Sequence, residues 1–498
     1  MGIQVIPYNQ AAPSLGGSNQ AKYILSYVKA IGCKTAILES DYVDKDHLLD
    51  YSNYYARSFS EVGRKVRRVH FFANAFTRDA FLSALEINDI ANVCGDYLGF
   101  CIVRPVIDSM GNFLIGRTVL KTYEHKDDQK QVMRYYTTHE CMASLCGHQF
   151  TVQSLPFQAQ DGVVGACATV ALWIASNALN NAFDTKVEPP SNITKIATKY
   201  ITIGGCFPSE GLTLEQMIGY IQALDLDVDI VNVSQFDADF LTYKTVGIGM
   251  EAAKLAIMAY HNVRIAPIAM IAIRSKGQEH WDYHAAVVSG YRVNAAGEMD
   301  EIYLHDDQVG PFCHTEFIKA SIKGSYFLKR LVTDRLKNQW VESGAADEVV
   351  LLKLIIPRYP KIRMTITKMM PAYARVKSAM GNDVNVKMLV YRVQDYKREI
   401  LQSDVPIVDK TKTLLFDLPK YILVFRSMVG KDVVGDIIFD ATSPHPNLIF
   451  INNYRMGQVF PTPMSQQAQA PSGASQASTI SEIPLNNEVS ALFSVEKE

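Results

Sequence analysis

A chain of 498 residues, 48% hydrophobic and 20% charged, is too long for one ordinary domain and apolar enough to bury several cores. Its formal net charge of -2 gives no general attraction for nucleic acid or acidic membranes. No run approaches the ~18 apolar residues of a membrane span.

The first residues have neither a basic segment nor a long apolar core, so no secretory signal is expected. Gly2 is not followed by the serine or threonine that a myristoylation site wants. The eight cysteines are dispersed without a disulfide framework, which reads as a reduced, cytoplasmic protein. Residues 1–20 are small and polar and read as a flexible arm. From 21 to 148 strands are expected at Lys34–Glu39, Tyr97–Val103 and Leu114–Leu120 and a helix at Arg78–Leu85, together an N-terminal α/β domain. Arg64-Lys-Val-Arg-Arg-Val-His-Phe-Phe72 is basic with aromatics. The alternation of Val66, Val69 and Phe71 makes it an edge strand with a solvated face, and no nucleic-acid partner is expected. His139, Cys141, Cys146 and His148 are metal-capable, but zinc favours two ligand pairs separated by a longer loop, so strand packing is the reading and no metal is expected.

A second domain is expected over 149–335. Its opening, Gln160-Asp-Gly-Val-Val-Gly-Ala-Cys167, is a glycine-rich loop running into a helix, with Ala168, Ala171, Leu172, Ala175, Ala178 and Leu179 apolar on most sides. Such a helix is buried, and Asn180-Asn181 should end it. Gly247-Ile-Gly249 precedes another helix but lacks the third glycine and the strand of a dinucleotide site, and no Walker motif is present, so no cofactor is expected. Strands are expected at Ile265–Ile273, His284–Val293 and Ile302–Asp306.

A third domain, again α/β, is expected over 346–460, with strands at Val349–Ile356, Met388–Val393, Tyr421–Arg426 and Gly435–Phe439. Its helix, Pro371–Met380, would carry proline near its first turn. Residues 461–498 are of low complexity and read as a disordered tail, regaining apolar character at Val489–Val495.

Cys167 stands at a helix N-terminus, where unpaired N–H groups and the helix dipole favour a thiolate, the nucleophilic form. A base is needed beside it. If Asn294-Ala-Ala-Gly297 is the turn of a hairpin centred on Ala295, His284 lies directly opposite Asp306 and both point to one face. A carboxylate could then orient the imidazole while its other nitrogen meets the thiol. His305 and Asp307 would face the other side unless a bulge shifts the register, and His280 would sit in a polar rim loop.

The order glutamine, cysteine on a helix, histidine on a strand and aspartate on the next strand is carried by Gln160, Cys167, His284 and Asp306. Over residues 150–315 it resembles papain-like cysteine peptidases, in flavour the bacterial leader-peptide (double-glycine type) peptidases. The resemblance implies an α+β fold with the cysteine helix against an antiparallel sheet, flanked here by the two α/β domains. It implies that Cys167 attacks a carbonyl, His284 shuttles the proton, Asp306 orients His284, and Gln160 joins the Cys167 backbone N–H in an oxyanion hole. Gln160 lies seven residues before Cys167, whereas the family glutamine lies about six before. Asp161 occupies the usual slot, Gln158 is a second candidate, and Gly165-Ala-Cys167-Ala-Thr replaces the family's Cys-Gly-Ser-Cys-Trp. The expected function is hydrolysis of a peptide or amide bond in a protein or peptide substrate by a cysteine peptidase or isopeptidase. The alternatives are a transglutaminase-like acyltransferase and a catalytically inactive papain-like binding or regulatory protein.

Overall fold

The computed structural model describes residues 2–59, 61–127, 129–161, 166–199, 211–236, 243–246, 249–322, 331–380, 383–430 and 432–453. The loop 162–165, Gly247 with Ile248, and the tail expected over 461–498 lie outside them. The fold is mixed α and β with antiparallel sheets, in two compact units: Met1–Met250 with Arg264–Arg358, and Glu251–Val263 with Tyr359–Glu498.

In the first unit, a five-stranded sheet runs in the order Ile3–Pro7, Thr35–Tyr42, Val66–Phe72, Tyr97–Ile107, Phe113–Leu120. Each described neighbour pair is antiparallel, which corrects the α/β expectation for this region. The helices between strands return the chain to a neighbour running the opposite way, instead of making the crossover of a βαβ unit.

The expected flexible arm is instead built into this sheet. Ile3–Pro7 pairs with the second strand from Ile3↔Glu39 to Pro7↔Thr35, and Ile3 and Val5 pack on the core of Ile37, Phe72 and Phe100. Val66–Phe72 is the third strand of five, not an edge. Arg68 and His70 are therefore buried. The Arg68 guanidinium donates to Glu39 on the neighbouring strand and lies 3.7 Å over the Tyr42 ring, while His70 bridges Glu39 and the Tyr97 hydroxyl. A buried charge is tolerable when it is paired and hydrogen-bonded, which an alternation pattern does not reveal. The hairpin of His139–Leu145 and His148–Ser154 contributes Leu145, Phe150 and Val152 to the same core.

The larger sheet of this unit has the order Asp227–Asn232, Ala346–Arg358, Ile268–Ser275, Asp282–Val293, Met299–Asp306, Gly310–Ile322, Leu331–Lys337. The boundary expected near residue 148 does not separate compact units, because earlier segments pair directly into later ones. Val132–Tyr136 pairs with Gly290–Val293, and a Cβ on Gly290 would come within 2.4 Å of the Tyr135 carbonyl oxygen, so glycine lets the strands close. The segment before the cysteine helix lies along the strand Phe113–Leu120 through Thr118–Phe157 hydrogen bonds of 2.7 and 2.9 Å and Ala159 N–H to Ile115 O at 3.1 Å.

The helix Cys167–Phe183 packs on the strand Asp282–Val293 and is buried along most of its length, as expected of a helix apolar on most sides. It continues past Asn180-Asn181 and ends where Asp184 turns left-handed at φ 57°.

In the second unit, a four-stranded antiparallel sheet runs Asn385–Arg392, Tyr421–Val429, Asp432–Asp440, Leu448–Asn453. It replaces the α/β arrangement expected here. The helix Ile366–Met380 packs against the first of these strands and starts five residues before Pro371, which lies inside it. The starting signal is Thr365, whose hydroxyl accepts the Lys368 N–H at 3.2 Å.

Candidate functional site

Cys167 is the first residue of its helix. Ala166, at the N-cap, supplies no side-chain acceptor for the first-turn N–H groups. Cys167 is partly exposed, whereas most of the helix behind it is buried. The strand Asp282–Val293, against which that helix packs, carries His284, only 3% exposed.

His284 Nε2 donates to Asp306 Oδ1 at 3.0 Å. Its ring also interacts with Cys167. Because Nε2 is committed to Asp306, Nδ1, which makes no hydrogen bond, is the nitrogen left to face the thiol. Asp306 Oδ1 also accepts the Gln308 N–H at 3.1 Å, and Oδ2 accepts the Trp340 indole N–H at 2.9 Å. Trp340 belongs to the short helix Gln339–Glu342, capped by Asn338, and stands edge-on to His284 with ring centroids 6.1 Å apart.

Burial alone would push the His284 imidazole toward neutrality. The charge and hydrogen bond of Asp306, then Cys167, then the charge of Asp307 reverse this and hold its pKa well above the ordinary value. Burial likewise works against the charge on Asp306, but His284, Trp340 and the Gln308 N–H keep its carboxyl below the usual range. The arrangement favours an imidazolium between a carboxylate and a thiol.

The strand register differs from the expected one. Val287 pairs with His305 and Val288 with Leu304, and a bulge at Ser289 then shifts the pairing to Gly290↔Tyr303. His284 is therefore two positions beyond direct opposition and reaches Asp306 diagonally. A shift of two keeps both side chains on one face, so the contact survives. His305 faces away: its Nε2 contacts the Leu155 carbonyl at 2.9 Å, its Nδ1 accepts the Phe312 N–H, and burial pushes its pKa down to about 4. His280 is exposed.

Gln160 is half-buried, and the chain joining it to Cys167 runs through the loop outside the described residues. Asp161 accepts the Tyr55 hydroxyl at 2.5 Å and lies 3.6 Å from Arg104. Arg104 also donates to the Ala159 carbonyl at 3.2 Å. A carboxylate paired in this way accepts hydrogen bonds and cannot serve as an oxyanion donor. Gln158 is buried.

Sequence reasoning missed Trp340 and the helix Asn19–Ala30, and it placed Asp307 on the far face, whereas its Oδ1 lies 3.4 Å from His284 Nε2. From that helix Gln20 donates to the Asp307 carbonyl at 3.2 Å, and Tyr23 packs over Gly310. A Cβ on Gly310 would lie 2.1 Å from Tyr23 Cδ1. Gly310→Ala is expected to push this helix off the turn that carries Asp306, with a loss of about 1–3 kcal/mol in urea unfolding. An unchanged midpoint would show that the contact is dispensable.

Among the described residues, His284, Asp306 and Asp307 bring metal-capable atoms within 4.8 Å of one another. His284 Nε2 and both Asp306 oxygens are already hydrogen-bonded to each other, Gln308 and Trp340. One uncommitted carboxylate, Asp307, remains, and that is not a chelating set. No protein-family model matches the chain, and no curated protein sequence matches it.

Proposed function

We propose that the chain is a cysteine peptidase or isopeptidase with a papain-like core, working through Cys167, His284 and Asp306. The observation that carries this reading is His284, hydrogen-bonded to Asp306 through one nitrogen and interacting with Cys167. The helix packed on an antiparallel sheet supports the papain-like core.

Cys167 sulfur attacks the carbonyl carbon of a peptide or amide bond, and the negative charge moves to the carbonyl oxygen. The Cys167 backbone N–H and the Gln160 side chain are the proposed donors to that oxygen. When the tetrahedral intermediate collapses, the C–N bond breaks and the His284 imidazolium gives its proton to the leaving amine. Water, deprotonated by His284, then attacks the thioester, releasing the carboxylic acid and returning the proton to the Cys167–His284 pair. The substrate class is a protein or peptide, and the proposed location is the cytoplasm. No helix among the described residues is long and apolar enough to cross a membrane.

Comparative terminomics of cells expressing the wild-type chain or Cys167→Ala tests this. New protein termini that depend on Cys167 are expected. Labelled-amine incorporation without new termini would assign the chain to the acyltransferases instead, and neither signal would leave a binding protein on the same scaffold.

A further inference from the structure

Asp307 follows the orienting aspartate but has left the strand. The Val309 N–H bonds back to the Asp306 carbonyl at 2.9 Å, so a turn begins at Asp306 and strand alternation no longer sends Asp307 to the far face. Its side chain is 2% exposed, and Oδ1 lies 3.4 Å from His284 Nε2, the same atom that donates to Asp306. Neither carboxylate oxygen has a hydrogen-bond partner. The backbone at this point is held from outside by Gln20. A buried carboxylate without a donor is costly, and an apolar residue would avoid that cost. A carboxylate in this place, aimed at the nitrogen through which His284 is held, acts on the imidazole.

We propose that Asp307 is a second positioning residue for His284: with Asp306 it cradles Nε2–H between two carboxyl groups, keeping Nδ1 for Cys167 and adding to the hold on the imidazolium. The inference rests on reading Cys167 and His284 as the reacting pair.

The groups facing the ring are Cys167 from its helix, Asp306 and Asp307 from the strand end and turn, and the uncharged indole of Trp340. Behind Asp306 lie Cys313 and, against it, Tyr23. Burial pushes the Asp307 carboxyl up to about 7, with His284 opposing and Asp306 adding to the rise. Asp307 is therefore a neutral acid below that pH and a carboxylate above it. The carboxylate form is opposite in sign to the imidazolium, so the His284 proton is held more tightly as pH rises through this range.

The test uses the full chain with ¹³C-labelled histidine, the His284 resonance being assigned by its loss in His284→Gln. Wild type, Asp307→Asn and Asp307→Ala are titrated, with thermal unfolding as the folding control. Alkylation of Cys167 by iodoacetamide is measured in parallel, with His284→Ala included. The His284 midpoint is expected to fall by about one pH unit in both Asp307 variants, as for loss of a neighbouring opposite charge. A midpoint unchanged in both, while His284→Ala slows alkylation, would overturn the role of Asp307 and leave the Cys167–His284 pair standing. Alkylation indifferent to His284→Ala would remove the pair itself, and this inference with it.

Discussion

Iodoacetamide is expected to alkylate Cys167 about 10- to 100-fold more slowly in His284→Ala than in wild type near pH 6. An unassisted thiol at that pH is ionised to well under about 1%, so its rate is limited by the scarcity of thiolate. An imidazolium alongside a sulfur stabilises negative charge on it, and the charge and hydrogen bond of Asp306 raise the pKa of His284 against its burial. The gain is partly offset because a more stable thiolate is a weaker nucleophile. Asp306→Ala should act in the same direction, since it frees the imidazole and leaves the Trp340 and Gln308 N–H groups without an acceptor. Asp306→Asn should not rescue fully. An amide has one acceptor oxygen for three donors now shared between two oxygens, and its NH₂ would oppose one of them. Equal alkylation rates in wild type and His284→Ala would refute the pairing. If the chain is the proposed peptidase, the loss of turnover in His284→Ala should be larger, about 10²- to 10⁴-fold, because the leaving amine would also lose its proton donor.

The second large effect lies in the other compact unit. Arg426 meets Asp436 in a fork, Nε to Oδ1 at 2.8 Å and Nη2 to Oδ2 at 2.9 Å, with Asp436 fully buried. The Tyr396 hydroxyl donates to Asp436 Oδ2 at 3.0 Å, and Glu399 pairs with the remaining guanidinium nitrogen. Removing one partner leaves a buried charge, which typically costs about 3–5 kcal/mol. Asp436→Ala is expected to lose stability in that range, read by urea unfolding and by faster amide exchange in the strands Tyr421–Val429 and Asp432–Asp440. Glu399 is 46% exposed and so compensates weakly for the lost partner. Arg426→Met combined with Asp436→Leu should recover much of the loss, because replacing both charges with apolar side chains removes the desolvation cost along with the attraction. A loss below about 1 kcal/mol in Asp436→Ala would show that the fork contributes little.

The elements nearest the site were legible because their signals are local. A glycine-rich loop followed by an apolar helix announces itself within twenty residues, and the hairpin around Asn294 is marked by its own turn chemistry. The strand ends and the face shared by His284 and Asp306 follow from a period of two. The register did not follow, since the turn is centred one residue later than expected, with Val293 opposite Met299 and the Asn294 N–H bonded to the Glu298 carbonyl, and the irregularities at Arg292/Val293 and Ser289 then cancel.

Arg68 and His70 show the same division. Their alternation with apolar neighbours reads as a solvated edge, yet the sheet order places them in the middle beside Glu39. Ile3–Pro7 is a five-residue run ended by proline and followed by small polar residues, and it is ordered by a neighbouring strand more than twenty-five residues away. Trp340 and Gln20 carried no local sign that they would touch the turn at Asp306 and Asp307.

Residue type and short-range spacing thus singled out Cys167, His284 and Asp306 as candidates, because side-chain identity and the periodicities that backbone geometry imposes over a few residues are local properties. Which nitrogen of His284 is held, which second carboxyl reaches it, and which charges are buried were decided by the packed fold. Those properties depend on burial and on partners remote in the chain, and neither can be read from a run of neighbouring residues.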